Sequence, residues 1–278
     1  MPLITLNNKH QISYQLIGDE KATKSFFFIH GIMGKGRNLI SFASKLLKEI
    51  PNTNGFLIDL RNHGESSKHN SPFSVEACAE DIVEISHKLH VKPISIIGHS
   101  FGAKVALLSA HKLLETKSIW LLDAPLSSYE SQPLIKDNPT VMQIIEIMQE
   151  IKFPLENKND LIKCLCAKNV ELSLALWMTT NLEARQNGFY LIFDLQEIKE
   201  MLKSFLELDL WQTAKNLSKR CTINFVKAQK SLRIDHGEIK KIELYLEGRS
   251  NLYELENAGH FLHSDNPQGL IEIIRSNE

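Results

Sequence analysis

The stretch Pro93-Ile94-Ser95-Ile96-Ile97-Gly98-His99-Ser100-Phe101-Gly102-Ala103-Lys104-Val105 passes from a short apolar run, through a serine flanked by glycines, into a segment of helical periodicity. An apolar run of that length fits a strand buried on both faces. The helical pattern extends over residues 101–114. At the junction, Gly98-His99-Ser100-Phe101-Gly102 fits the pattern G-x-S-x-G. A strand that turns this tightly into a helix leaves no room for bulky side chains beside the serine. Glycine at both flanks relieves the clash and lets the serine adopt a strained backbone. Five residues match by chance in many proteins, so the strand before and the helix after carry the specificity.

Strands and helices alternate on either side of this junction. Residues 3–6 and 11–17 read as two strands joined by the turn-rich Asn7-Asn8-Lys9-His10. Residues 25–29 and 55–60 read as buried strands, and residues 118–122 as another. Between them, residues 39–50 place Leu39, Phe42, Ala43, Leu46, Leu47 and Ile50 at helical spacing, stopped by Pro51 and Asn52. Ser74 is positioned to cap a helix through Val75, Ile82, Val83 and Leu89. The alternation predicts an α/β fold, a mostly parallel sheet with helices on both faces and right-handed crossovers. From residue 125 to 217 it stops, and residues 141–151, 160–167, 172–185 and 198–205 all read as helices. It resumes with a strand at 222–226, a helix near 239–246, a strand near 251–255 and a closing helix at 268–275. The expected division is a core of residues 1–124 and 218–278 with a helical insertion at 125–217.

With 278 residues, 43% hydrophobic and 23% charged, the chain has the composition of an ordinary globular protein. Its net charge of -1 gives no general attraction to nucleic acid or to anionic membranes. No run approaches the roughly 18 apolar residues that span a bilayer. The start Met1-Pro2-Leu3-Ile4-Thr5-Leu6 lacks signal-peptide character, so a cytoplasmic location is expected. Cys78, Cys164, Cys166 and Cys221 suggest no disulfide framework. Cys164-Leu165-Cys166 has no second ligand pair at zinc spacing. Neither a metal nor an organic cofactor is expected.

A serine hydroxyl attacks only when a base takes its proton. His260, in Glu256-Asn257-Ala258-Gly259-His260-Phe261, follows the last expected strand on a loop of small residues that permit a tight turn. His263 is the nearest rival and reads as a loop surface residue. Two further segments have a recognisable form, His30-Gly31-Ile32-Met33-Gly34 and Asp59-Leu60-Arg61-Asn62-His63-Gly64-Glu65-Ser66. In order with Ser100 and His260, they resemble the α/β-hydrolase superfamily over nearly the whole chain. The resemblance implies an eight-stranded, mostly parallel sheet with a helical cap inserted after the sixth strand. It implies Ser100 as nucleophile, His260 as base, and the amides of Ile32 and Phe101 as donors to the oxyanion. It makes His30 structural, and Asp59, Arg61 and His63 braces of their loop.

Two aspartates compete as the acid that orients the histidine. In most relatives it follows the seventh strand, but here that segment reads Ala228-Gln229-Lys230-Ser231, with serine where the aspartate is expected. Asp235 lies four residues on, yet Asp235-His236-Gly237-Glu238 also fits an N-cap with glutamate three residues later. Asp123 ends the apolar run Ile119-Trp120-Leu121-Leu122 at the sheet edge where Ser100 also opens. Small bacterial esterases and their mitochondrial relatives resemble this chain in Arg61-Asn62-His63-Gly64-Glu65-Ser66 and in Asp123-Ala124-Pro125-Leu126. That resemblance implies Asp123 as the acid, with Ser231 assisting the histidine; Asp235 remains the competitor.

The expected chemistry is hydrolysis of a carboxylic ester or thioester, of small to acyl-chain size, through an acyl-enzyme. A serine at the elbow argues against the aspartate-dependent dehalogenases and epoxide hydrolases of this fold. A C–C hydrolase or menaquinone-pathway-type lyase on the same residues is the alternative, and a non-catalytic ligand receptor the third. The expected partner is a small molecule. Met142, Met148, Phe153, Trp177, Met178 and Trp211 in the insertion are candidates for an acyl pocket or for packing among its helices.

Overall fold

A computed structural model describes residues 1–69, 71–128, 141–246 and 250–278. Residues 129–140, part of the expected insertion, lie outside it. The elements in chain order are β1 (Leu3–Thr5), β2 (Gln11–Gly18), β3 (Lys24–Ile29), α1 (Ile40–Glu49), β4 (Thr53–Ile58), α2 (Val75–Lys88), β5 (Ser95–His99), α3 (Phe101–Lys112) and β6 (Ser118–Leu122). Next come α4 (Val141–Glu150), α5 (Lys158–Cys166), α6 (Leu172–Met178), β7 (Leu182–Arg185), β8 (Gly188–Leu191), α7 (Leu195–Glu207) and α8 (Trp211–Leu217). The chain closes with β9 (Thr222–Ala228), α9 (His236–Tyr245), β10 (Ser250–Leu255), α10 (Leu262–Asp265) and α11 (Pro267–Arg275).

Among the described residues, eight strands form one sheet in the order β1-β2-β4-β3-β5-β6-β9-β10. The β1–β2 and β2–β4 pairs are antiparallel and all later pairs are parallel. Successive residues of a strand point to opposite faces, and the central strands are apolar on both. Phe27 and Ile29 of β3 enter a core with α2 and α3, while Phe26 and Phe28 enter a second core with α1 and α11. This is why Phe26-Phe27-Phe28-Ile29 has no polar alternation. The cap of α2 is as expected, with Ser74 Oγ accepting from the Ala77 amide at 3.2 Å. Among the described residues, no helix is long and apolar enough to cross a membrane.

The segment between β6 and β9 departs from its reading in two respects, the first being the additional helix α8. Residues 172–185 do not form a single helix. After α6 and a short turn, β7 pairs antiparallel with β8, Arg185 opposite Gly188. Gln186 and Asn187 make the hairpin loop, and Gly188 has φ 132°. A Cβ on Gly188 would lie 2.5 Å from the Leu155 carbonyl, because Leu155 and Phe189 exchange two backbone hydrogen bonds there. Asn-Gly is a strong hairpin signal, and here the helical spacing that precedes it masks it.

Both ends of this segment are fastened by one buried polar cluster. Lys104 of α3 has no exposed surface, and its Nζ donates to the carbonyls of Ser127 (3.1 Å), Phe205 (2.9 Å) and Leu208 (2.5 Å). Burial pulls its pKa down to about 8, against the opposing charge of Glu238. The Glu238 carboxylate accepts from the Leu126 and Ser127 amides and from Ser127 Oγ. Trp211 Nε1 and Lys241 Nζ donate to that same hydroxyl. A buried acceptor left without its donor costs about 1–3 kcal/mol, so three carbonyls on one ammonium make Lys104 a strong fastening. Trp211, a candidate pocket residue from the sequence, is committed to this cluster instead.

Candidate active site

β5 ends at His99 and α3 begins at Phe101, so Ser100 alone makes the turn, with φ 53° and ψ -117°. A non-glycine residue at positive φ is strained by about 1–3 kcal/mol and persists only where its surroundings hold it. Here the Ser100 amide donates to Leu122 O at 2.9 Å, and Ser100 O accepts from the Ala103 amide at 2.9 Å. The flanking glycines are sterically required. A Cβ on Gly98 would stand 2.1 Å from Gly102 O, and one on Gly102 would stand 2.5 Å from His30 O.

Two strands on the same side of β5 bring partners to the serine, β6 beside it and β10 at the far edge. β6 lies beside β5 and delivers Asp123 at its end, fully buried, its amide bonded to Val226 O at 2.9 Å. The loop after β10 delivers His260. Contacts at its base hold it: Lys230 N to Ala258 O (3.0 Å), Asn257 N to Gln229 Oε1 (2.9 Å) and Gly259 N to Asp265 Oδ2 (2.8 Å). His260 Nε2 is 3.1 Å from Ser100 Oγ, and its Nδ1 is 2.8 Å from Asp123 Oδ2. The carboxylate places the ring proton on Nδ1, which leaves Nε2 free to accept from the serine. Burial holds the imidazole neutral, well below its usual pKa of 6.5. Burial also raises the Asp123 carboxyl, while hydrogen bonding from the Ser231 side chain and the Ala228 amide favours its charged form.

Asp235 has other work, accepting from the Glu238 amide at 2.8 Å as N-cap of α9. The expected cap is present, but the Glu238 side chain turns away into the Lys104 cluster. Ser231 stands against the acid, and its Oγ also accepts from the Arg233 amide at 3.3 Å. Among the described residues, no hydrogen bond joins it to His260. His263 is corrected from its reading as a surface residue. It lies half-buried in α10, an element the sequence reading omitted. Its ring is 5.0 Å from that of His99, and burial lowers its pKa to about 4.

The His30–Gly34 loop faces Ser100 from the end of β3. His30 Nδ1–H donates to Gly31 O at 2.7 Å, and its Nε2 accepts from the Leu60 amide at 3.0 Å. The Gly34 amide also donates to Gly31 O. Since a trans peptide points its C=O and N–H in opposite directions, fixing Gly31 O fixes the direction of the Ile32 N–H. Among the described residues, no backbone carbonyl accepts from the amide of Ile32 or of Phe101. Behind the loop, His63 Nδ1–H donates to Arg61 O and its Nε2 accepts from the Met33 amide at 3.0 Å. Asp59 accepts from the amides of Gly36 and Glu65, and Arg61 makes a buried double hydrogen bond to Asp81 at 2.6 and 2.7 Å.

A family model described as alpha/beta hydrolase fold matches residues 24–267. The chain belongs to the α/β-hydrolase fold family. Among curated relatives, ethanol acetyltransferase 1 of Cyberlindnera jadinii is 26% identical, the match covering 92% of this chain and 80% of that protein. The sn-1-specific diacylglycerol lipase ABHD11 of Danio rerio is 24% identical over 95% of this chain and 81% of its own. A solved marine microorganism esterase superposes with a TM-score of 0.79 at 23% identity, covering 95% of this chain and 98% of the esterase, which shows a shared fold.

His30, His63 and His99 give this α/β hydrolase a defined response to acid. All three are buried and held neutral, with pKa values below the 6.5 of a free imidazole. Below pH 6.5 the unfolded chain therefore binds protons that the folded chain does not, and stability falls as pH drops. The expected loss is about 1.4 kcal/mol per histidine per pH unit until the folded-state pKa is reached. Urea unfolding at pH 7.5 and 5.5 should show a clearly lower midpoint at 5.5; equal midpoints would contradict the neutral assignment.

Proposed function

We propose that this chain cleaves carboxylic esters or thioesters through an acyl-enzyme on Ser100. The observation that carries the reading is the continuous line from Ser100 Oγ, on its strained elbow, through His260 to the buried Asp123. Ser100 Oγ attacks the carbonyl carbon while its proton passes to His260 Nε2. Negative charge gathers on the former carbonyl oxygen, where the amides of Ile32 and Phe101 donate to it. Collapse of this intermediate expels the alkoxide or thiolate, which takes the proton back from His260. A second acceptor then repeats the sequence and frees the acyl group. Asp123 holds the imidazole in the required tautomer and stabilises its charged form, and Ser231 assists by keeping Asp123 ionised.

Residues 125–217 act as a cap on a core of residues 1–124 and 218–278. Trp177 of α6 supports this, since its ring lies 5.4 Å from that of Phe261, the residue after His260. Of the other apolar candidates in this segment, Met148 and Met178 are fully buried and pack the cap.

Water is the second acceptor in a hydrolase. A second reading, transfer of the acyl group to a small alcohol, is favoured by the relatives named as ethanol acetyltransferases. Purified protein given p-nitrophenyl acetate, or an acetyl thioester, in rising ethanol separates the two. Constant acetate yield supports the hydrolase, and ethyl acetate replacing acetate supports transfer. No release of p-nitrophenol or thiol above background would sink both.

A further inference from the structure

His99, the last residue of β5 and the one before Ser100, is only 4% exposed and has no part in the steps above. Its surroundings are unusual for a residue that merely fills space. On one side its Nε2–H donates to the backbone carbonyl of His260 at 2.7 Å, and the two rings are 4.7 Å apart. On the other side it packs on the His30–Gly34 loop, where a Cβ added to Gly31 would lie 3.1 Å from His99 Nδ1. One ring therefore separates the loop carrying the Ile32 amide from the loop carrying His260.

The hydrogen bond is more than incidental contact. Among the described residues, no backbone N–H donates to the His260 carbonyl, so His99 is what fixes that peptide. A carbonyl only accepts, so the His99 proton sits on Nε2. Anchoring this carbonyl restrains the backbone that carries the imidazole. With Asp123 bonded to Nδ1, the His99 anchor leaves the ring little freedom to swing away from Ser100 Oγ. The ring must also be uncharged, because a cation 4.7 Å away would oppose the imidazolium that forms on His260 during the reaction.

We propose that His99 is a positioning residue that holds His260 at its working angle by donating from Nε2 to the His260 carbonyl. The proposal rests on the Ser100–His260 reading above. Misplacing a reacting group by about 1 Å can cost on the order of 10²-fold in rate. His99→Phe keeps a planar ring in the same space but removes the donor, and His99→Gln keeps a donor on a flexible chain.

The test compares wild type with both variants in three measurements: kcat and KM on p-nitrophenyl acetate, the rate of phosphonylation by a fluorophosphonate, and the melting temperature. His99→Phe should lose about 10²-fold in kcat and a similar factor in labelling rate, with KM within about two-fold and melting little changed. His99→Gln should recover much of the loss. A Phe variant that turns over and labels at the wild-type rate would overturn the proposal and leave the serine-hydrolase reading intact. Wild type that neither labels nor turns over would overturn both. Should the Phe variant not fold, His99→Gln against His99→Met makes the same comparison, with and without a donor at similar volume, and equal loss in the two overturns the proposal.

Discussion

Replacing Ser100 by alanine is expected to lower kcat/KM on any ester or thioester substrate by about 10⁶. The expected loss is large because, in the proposed mechanism, no other side chain replaces Ser100 as nucleophile. The elbow's strained geometry serves only the residue at position 100, and His260 Nε2 is aimed at its Oγ. Alanine keeps the same backbone, so the fold should survive. Melting should be unchanged or slightly higher, since strained active sites commonly trade stability for function. An alanine variant with activity within ten-fold of wild type would require a different nucleophile.

Replacing Asp123 by asparagine should cost about 10⁴ in kcat, as expected when the residue orienting the histidine loses its charge. An amide can donate to Nδ1, which favours the wrong imidazole tautomer and leaves Nε2 protonated and unable to accept from Ser100. Asp235→Asn should change kcat by less than about two-fold, since asparagine is as good an N-cap as aspartate. Rates of the two variants on p-nitrophenyl acetate decide the matter. If Asp235→Asn loses activity and Asp123→Asn does not, the acid has been misassigned.

The sheet is legible because its central strands are short and mostly apolar, and because Ser74, Pro51 and the Gly98–Gly102 turn punctuate them locally. The same holds for Ser100, whose demands on its neighbours are steric and fall within five residues. The partner acid was not legible from residue type, since Asp123 and Asp235 offer the same carboxylate. What separates them is long-range. β6 runs parallel beside β5 and carries Asp123 to His260, whereas α9 occupies Asp235 as its cap. The β7–β8 hairpin is hidden in the sequence because the helical spacing of residues 172–178 runs up to it and outweighs the local turn signal of Asn187-Gly188. The positions of His99 and His263 against each other are not legible in the sequence for a related reason. Their significance comes from rings brought together across β5 and α10, and no local pattern encodes that contact.

The most direct test of Ser100 as an acyl-accepting nucleophile is reaction with a fluorophosphonate followed by peptide mass spectrometry. Wild-type protein should carry one adduct on the peptide containing Gly98-His99-Ser100-Phe101-Gly102, and Ser100→Ala should carry none. Folded wild-type protein that stays unlabelled, or an adduct that persists at another residue in the alanine variant, would contradict the proposed mechanism.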